Sequence, residues 1–293
     1  MRRIPISTLA RVIVDNDFAG DPDGLVALAH QLLTESTDVR VVCGTSLEPP
    51  HGLPGGGRGA ARAVAEELID RLAPVRRPLV TEDTSDRFAD LAELPAGAAA
   101  IVEEANRASD LPLFVTCGGP LTNVAAALRA DPSIAERMTV AWIGGGDHPA
   151  GGWEYNLALD PEAAQFVFNA SRVPVIQFPV GAYRQCAFSV AELELVLADA
   201  GEFGSWLYDH FTTPPEMIRI GDSWPMGDSP VILATALGVE SSRWRSVPMP
   251  WIADDLSYED HPDPRDLVVC ELVDTRLLLG DFAARLRLHT RIP

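Results

Sequence analysis

The chain has 293 residues, 47% hydrophobic and 22% charged, the proportions of a soluble globular protein with a sizeable core. A formal net charge of −19, a pI near 4.6 and no basic cluster longer than an arginine pair exclude a nucleic-acid backbone or an anionic membrane surface as partner. All 23 of its Lys+Arg residues are arginines, which excludes a P-loop lysine, a pyridoxal-phosphate Schiff base and any lysine nucleophile.

The first informative stretch is Val12-Ile13-Val14 followed by Asp15-Asn16-Asp17-Phe18-Ala19-Gly20-Asp21-Pro22-Asp23-Gly24. A β-branched run ends in an acidic, Gly/Pro-punctuated loop, and an apolar helical pattern follows from Leu25 to Leu33. Four aspartates, at 15, 17, 21 and 23, fall within nine residues. In a turn and helix cap such acids are ordinary. At the mouth of a folded sheet their repulsion calls for a cation, and hard carboxylate oxygens suit Ca²⁺ or Mg²⁺.

Val39 to Thr45 reads as the second strand. Positions 49 to 59 are too rich in Gly and Pro for regular structure and read as a lid or a surface loop. Helical patterns follow over 60–73 and 96–107, then a buried-type strand at Leu113 to Thr116. That strand runs into Cys117-Gly118-Gly119-Pro120-Leu121-Thr122-Asn123 and a helix from Val124 to Arg129. Met138 to Ile143 is the next strand, ending in Gly144-Gly145-Gly146-Asp147-His148. Asp160-Pro161-Glu162 opens a helix to about Asn169, with Asp as cap and Pro at the first helical position. Further elements are a strand over 173–178, one helical pattern over 189–208, a helix from Asp228-Ser229-Pro230 through Leu237, a strand over 268–273 and a short helix over 282–288.

This alternation predicts βαβ units: a single α/β domain over 1–293, an open, mostly parallel, Rossmann-like sheet flanked by helices. Cys43, Cys117, Cys186 and Cys270 show no CxxC spacing and are expected to be buried free thiols. No apolar run has signal-peptide or membrane-spanning length, so a cytoplasmic protein is expected. In such sheets ligands sit beyond the carboxyl ends of the strands. The loops meeting that description are rich in Gly and acids and poor in clustered cations, which points to an acidic, metal-bearing pocket for a neutral, hydroxyl-rich ligand.

The motifs in order are Asp15-x-Asp17 with Gly20-Asp21-Pro22-Asp23, then Gly119-Pro120-Leu121-Thr122-Asn123. Trp153-Glu154-Tyr155-Asn156 follows ahead of Asp160-Pro161-Glu162-Ala163-Ala164, and Gly227-Asp228-Ser229-Pro230 closes the series. Together they resemble the nucleoside hydrolase family, inosine-uridine-type N-ribohydrolases. The resemblance covers positions from about 12 to 237. It implies one Ca²⁺ on the pocket floor and a Ca²⁺-activated water that attacks C1′ of a ribonucleoside, releasing base and ribose. Carried over, Asp17 resembles the metal ligand and general base, Asp23 the carboxylate on the ribose hydroxyls, and Gly118 the backbone-carbonyl metal ligand. Glu154 and Asn156 resemble the ribose-binding pair, and Asp228 the late metal ligand. A homodimer or homotetramer is implied as well.

Two positions depart from the family pattern. Gly24 stands where the family's loop ends in a second metal-binding aspartate, so Asp21 or Asp23 would have to replace that carboxylate, and Gly24→Asp is expected to tighten metal binding. Gly227 stands where many members carry a proton-donating histidine. Trp153, Trp224 and His148 are candidates for stacking on or protonating the leaving base, although a loop histidine is often merely solvated and Trp224 could simply pack. Two other readings compete: a catalytically degenerate family member that binds a nucleoside or sugar, and an Asp-x-Asp phosphohydrolase, which the absence of lysine disfavours.

Overall fold

Val12, Ile13 and Val14 lie in a fully buried strand, with Val12 and Val14 packed into one hydrophobic cluster and Ile13 into another. The two-residue alternation of a strand thus feeds both faces of one sheet. The structure, a computed structural model, describes residues 4–20, 22–48, 57–212 and 220–290. Asp21 and most of the Gly/Pro-rich stretch, 49–56, lie outside the described residues.

In chain order the strands are β1 (Ala10–Asn16), β2 (Thr37–Gly44), β3 (Leu79–Val80), β4 (Leu113–Cys117), β5 (Thr139–Ile143), β6 (Val175–Phe178), β7 (Ala187–Ser189), β8 (Ser223–Pro225), β9 (Arg243–Pro248), β10 (Trp251–Ile252), β11 (Tyr258–Glu259) and β12 (Asp266–Leu272). The helices are α1 (Asp23–Leu33), α2 (Ala60–Leu72), α3 (Ala96–Asn106), α4 (Thr122–Ala130), α5 (Tyr155–Leu159), α6 (Pro161–Gln165), α7 (Val180–Tyr183), α8 (Val190–Ala198), α9 (Gly201–Thr212) and α10 (Thr275–His289). Eight strands form one sheet in the order β3-β2-β1-β4-β5-β6-β12-β9, parallel except for β9, which pairs antiparallel with β12. The α/β architecture is therefore an open, mostly parallel sheet flanked by helices.

Chain order runs outward from the hydrogen-bonded neighbours β1 and β4, through β2 and β3 on one side and β5 and β6 on the other. At that reversal the loops after the two strands diverge to opposite sides of the sheet and leave a crevice at their carboxyl ends. Asn16 and Asp17, and Cys117 and Gly118, stand at its lip.

The sequence reading leaves out the edge strand β9, the short strands β3, β7, β8, β10 and β11 and the short helices α5 and α7, and it draws two helical segments differently. The helical pattern over 189–208 is two helices, α8 and α9, broken where Gly201 takes φ +59, a left-handed conformation that glycine adopts without penalty. The last helix starts earlier than residue 282, because Asp274 caps it by accepting the Leu277 N–H at 2.9 Å. The edge strand β9 lacks the apolar run of a central strand. Its arginines reach out to Glu271, through Arg243 at 3.2 Å and Arg245 at 2.9 Å. All four cysteines are buried free thiols. Among the described residues no helix is long and apolar enough to cross a membrane.

Candidate active site

The lip of the crevice is built from β1. Asp15 and Asn16 are the last two residues of the strand, so their side chains leave on opposite faces. Asp15 is fully buried and accepts hydrogen bonds from Asn123 Nδ2 at 3.0 Å and Thr45 Oγ1 at 3.3 Å, while its second carboxylate oxygen has no hydrogen-bond partner. Burial pushes its pKa up to about 7, and these two hydrogen bonds pull it down without offsetting the desolvation. Asn123 is itself held by Thr84 Oγ1 at 2.6 Å. Asp15 is thus a scaffold behind the lip and not part of its open face.

Asn16, 2% exposed, turns the other way. Its Oδ1 accepts the Asp17 N–H at 2.7 Å and its Nδ2 donates to Asp228 Oδ2 at 3.0 Å. The Asp228 backbone N–H in turn donates to Asp23 Oδ2 at 3.1 Å. Asp23 is the first residue of α1, where the helix dipole favours a carboxylate. Asp17 lies one residue beyond β1, and the turn after it closes through Gly20 N–H to Asp17 O at 2.7 Å. On the other side of the crevice a Cβ on Gly118 would lie 2.8 Å from Asp228 Cγ, so only glycine lets β4 end this close to the carboxylate.

The loop after β5 covers this floor. Asn156 Nδ2 donates to Gly118 O at 3.3 Å and to Ile143 O at 2.9 Å. Glu154 caps α5: its Oε2 accepts from Leu157 N at 3.0 Å and Gly145 N at 2.8 Å. Tyr183, the last residue of α7, donates its hydroxyl to Glu154 Oε1 at 2.9 Å. Burial raises the Glu154 pKa, and the donors around it counter that rise. Asp160 anchors the start of α6 and accepts from Thr122 Oγ1 at 2.5 Å and Phe88 N at 2.8 Å, tying this loop to α4.

Asp17, Asp23, Gly118, Glu154, Asn156 and Asp228 are therefore joined around one crevice by short hydrogen bonds and neighbouring backbone. Asp21 falls outside the described residues. The aromatic and histidine candidates are placed differently. Trp224, 4% exposed, packs edge-on against Phe211 with ring centroids 5.1 Å apart, so its ring serves the core. His148 is tied to Gln177 Oε1 at 2.8 Å and lies against Tyr258 at 4.9 Å, and burial lowers its pKa. Trp153 is 60% exposed.

The donors Asp17, Asp23, Asp228 and the Gly118 carbonyl are all hard oxygens, the set that a Ca²⁺-like cation takes. Among the described residues no group of three or more His, Cys, Asp or Glu side chains is arranged to hold a metal ion. The donor set fits such a cation in kind, with one carboxylate fewer than a loop ending in Asp-Asp would supply.

The sequence profile of the inosine-uridine preferring nucleoside hydrolases matches residues 12–249. The chain belongs to this family. Over 138 residues it is 31% identical to the pyrimidine-specific ribonucleoside hydrolase RihB of Escherichia coli, covering 45% of this chain and 42% of that protein. Over 92 residues it is 33% identical to the pyrimidine-specific ribonucleoside hydrolase RihA of Salmonella paratyphi A, covering 30% and 29%. The chain thus aligns with less than half the length of these curated relatives. In fold it is similar to the purine-preferring ribonucleoside hydrolase from Gardnerella vaginalis, with TM-score 0.72 and 19% identity over 97% of this chain and 100% of that one. It is likewise similar to a plant nucleoside hydrolase, with TM-score 0.70 and 19% identity over 97% and 99%.

Asn16 and Tyr183 did not stand out in the sequence. Asn16 is the unremarkable middle residue of Asp-x-Asp, and its importance lies in a partner 212 positions away. Tyr183 belongs to no motif, and only the fold brings α7 over Glu154. A Cβ on Gly227 would sit 3.2 Å from Tyr183 Cδ2 and 3.2 Å from Asp23 Oδ2, so the tyrosine ring lies against the position where the family pattern allows a histidine.

Proposed function

We propose that the chain hydrolyses the N-glycosidic bond of a ribonucleoside, or a closely related N-glycoside, in a Ca²⁺-dependent reaction giving free base and ribose. The observation that supports this reading is the hydrogen-bonded run from Asn16 through Asp228 to Asp23, beside Gly118, whose carbonyl accepts from Asn156. Asp17, Asp23, Asp228 and Gly118 would hold the cation, with Asp21 as a further candidate. When bound, the cation supplies charge that lowers the pKa of a water and grips the ribose diol.

The residues of the chain do the rest. Asp17 accepts the proton of the attacking water as the water oxygen bonds to C1′ and the C1′–N bond breaks, the electron pair leaving with the base, which takes up a proton from solvent. Asp23 and Glu154 bind ribose hydroxyls, and their negative charge stabilises the cationic character that develops on the sugar. Asn156, fixed on the Gly118 and Ile143 carbonyls, sets the height of the sugar above the floor. His148 and the exposed Trp153 are the candidates of their loop for contact with the base. The four buried thiols and acidic surface suit a cytoplasmic enzyme, and a homodimer or homotetramer is part of the same reading.

Release of reducing sugar from inosine, uridine and adenosine, each with Ca²⁺ and with chelator, tests the proposal. Release in Ca²⁺ that chelator removes is expected. No release from any of the three, together with saturable nucleoside binding, would instead make the chain a binding member of the family, a reading that Gly24 and Gly227 favour.

Tyr183→Phe keeps the ring and removes the donor to Glu154 Oε1. A hydrogen bond to a charged group contributes roughly 1.5–3 kcal/mol, so KM for a ribonucleoside is expected to rise by ~10-fold or more with a smaller change in kcat. An unchanged KM would remove Tyr183 from the ribose site.

A further inference from the structure

Gly24 opens a gap in the acidic loop, and the structure shows what stands in it. A Cβ on Gly24 would meet Asn16 Nδ2 at 3.1 Å, Oδ1 at 3.1 Å and Cγ at 3.2 Å. A Cβ on Gly118, from the opposite side of the crevice, would collide with the same amide. The Asn16 side chain therefore lies between two glycines that have no side chain of their own to place there. Its orientation is determined by the backbone: the Asp17 N–H needs an acceptor and takes Oδ1 at 2.7 Å, which turns Nδ2 towards Asp228 Oδ2 at 3.0 Å. At 2% exposure the amide has little room to leave this position.

We propose that Asn16 is a positioning residue of the metal site, filling the place that Gly24 leaves open and holding the Asp228 carboxylate by a hydrogen bond. The site then carries a neutral amide where an aspartate at 24 would bring another charge. Residues 16 and 24 are consequently coupled: a carboxylate at 24 needs the space that Asn16 occupies. This reverses the expectation that Gly24→Asp alone strengthens the site, because the new side chain would have to displace an amide locked by two hydrogen bonds. The inference rests on the metal-dependent reading above, and its test reads metal binding and not turnover.

Ca²⁺ affinity of the full chain is measured by titration calorimetry, with the Ca²⁺-induced shift in Tm as a second readout and circular dichroism to show that each variant is folded. Outer partners of metal ligands typically matter by 10–100-fold in affinity, so Asn16→Ala is expected to weaken Ca²⁺ by ~10-fold or more. Asn16→Asp places a carboxylate beside Asp228. It should lower the Tm of the metal-free protein, enlarge the Ca²⁺-induced shift and tighten binding by ~10-fold, as an added ligand charge does. Gly24→Asp alone should leave affinity within a few-fold of the parent, and Asn16→Ala combined with Gly24→Asp should regain what Asn16→Ala loses. Should Asn16→Asp fail to fold without metal, Asn16→Ser and the Gly24→Asp pair carry the test. Unchanged affinity in Asn16→Ala and Asn16→Ser, or tightening by Gly24→Asp alone, overturns the inference. A parent protein that shows neither heat nor a Tm shift at millimolar Ca²⁺ overturns the metal-dependent reading itself, and the inference with it.

Discussion

Asp17→Ala is expected to abolish nucleoside hydrolysis, lowering kcat by ~10³-fold or more, since general-base catalysis alone contributes 10²–10⁴-fold and the variant also loses a metal donor. The position of the residue makes the effect specific. It is the first residue beyond β1, at the crevice where β1 and β4 diverge, and its backbone is held by Asn16 Oδ1 on one side and the Gly20 turn on the other. Asp17→Asn separates its two roles, because the amide keeps the shape and one oxygen donor but cannot take the proton. Ca²⁺ binding that persists in Asp17→Asn while reducing-sugar release disappears would be the signature of the base. Retained turnover in Asp17→Ala would move that role to Asp23 or Asp228.

The second large effect concerns stability. The Asp15 pKa is raised from 3.8 to about 7 by burial, so the folded protein holds a proton there over a range in which the unfolded chain has released it. Where the folded state binds more protons, stability falls as pH rises. The stabilisation is complete below about pH 4, declines across the interval to pH 7 and is gone above it. At about 1.4 kcal/mol per pH unit, the span of roughly three units corresponds to about 4 kcal/mol. Asp15→Asn removes the titration and should flatten this decline. The price is a buried amide N–H at the position of the oxygen that has no hydrogen-bond partner, about 1–3 kcal/mol independent of pH. Urea unfolding at pH 5 and pH 8 in chelator measures the part of this span above pH 5: the parent should lose about 3 kcal/mol between the two and Asp15→Asn much less. Equal losses would show that another group carries the pH dependence.

The fold was legible in the order of elements because buried parallel strands write themselves as short β-branched runs, such as Val12–Val14 and Val39–Val42, between helical periods. The same reading missed β9, whose half-exposed edge mixes arginines with a few apolar residues, and merged α8 with α9 across a single glycine. The acids of the site were also legible. Four of them crowd one loop, and Glu154, Asn156 and Asp228 stand in motifs that keep their order along the chain.

What the sequence by itself determined was the supply of parts: a parallel α/β sheet, Gly-rich and acidic loops at its carboxyl end, and no lysine anywhere. Their assembly was a matter for the tertiary structure. Trp224, a candidate for stacking in the sequence, is drawn into the core by Phe211, because a buried ring gains more from packing than an exposed one. Tyr183 reaches Glu154 only because α7 follows β6 at the same end of the sheet. Gly24 reads as a lost ligand along the chain, yet in space its place is filled by the Asn16 amide, held between Asp17 and Asp228. Which side chain fills a gap depends on groups far apart in sequence competing for the same few ångströms, and that competition is decided only when the chain is folded.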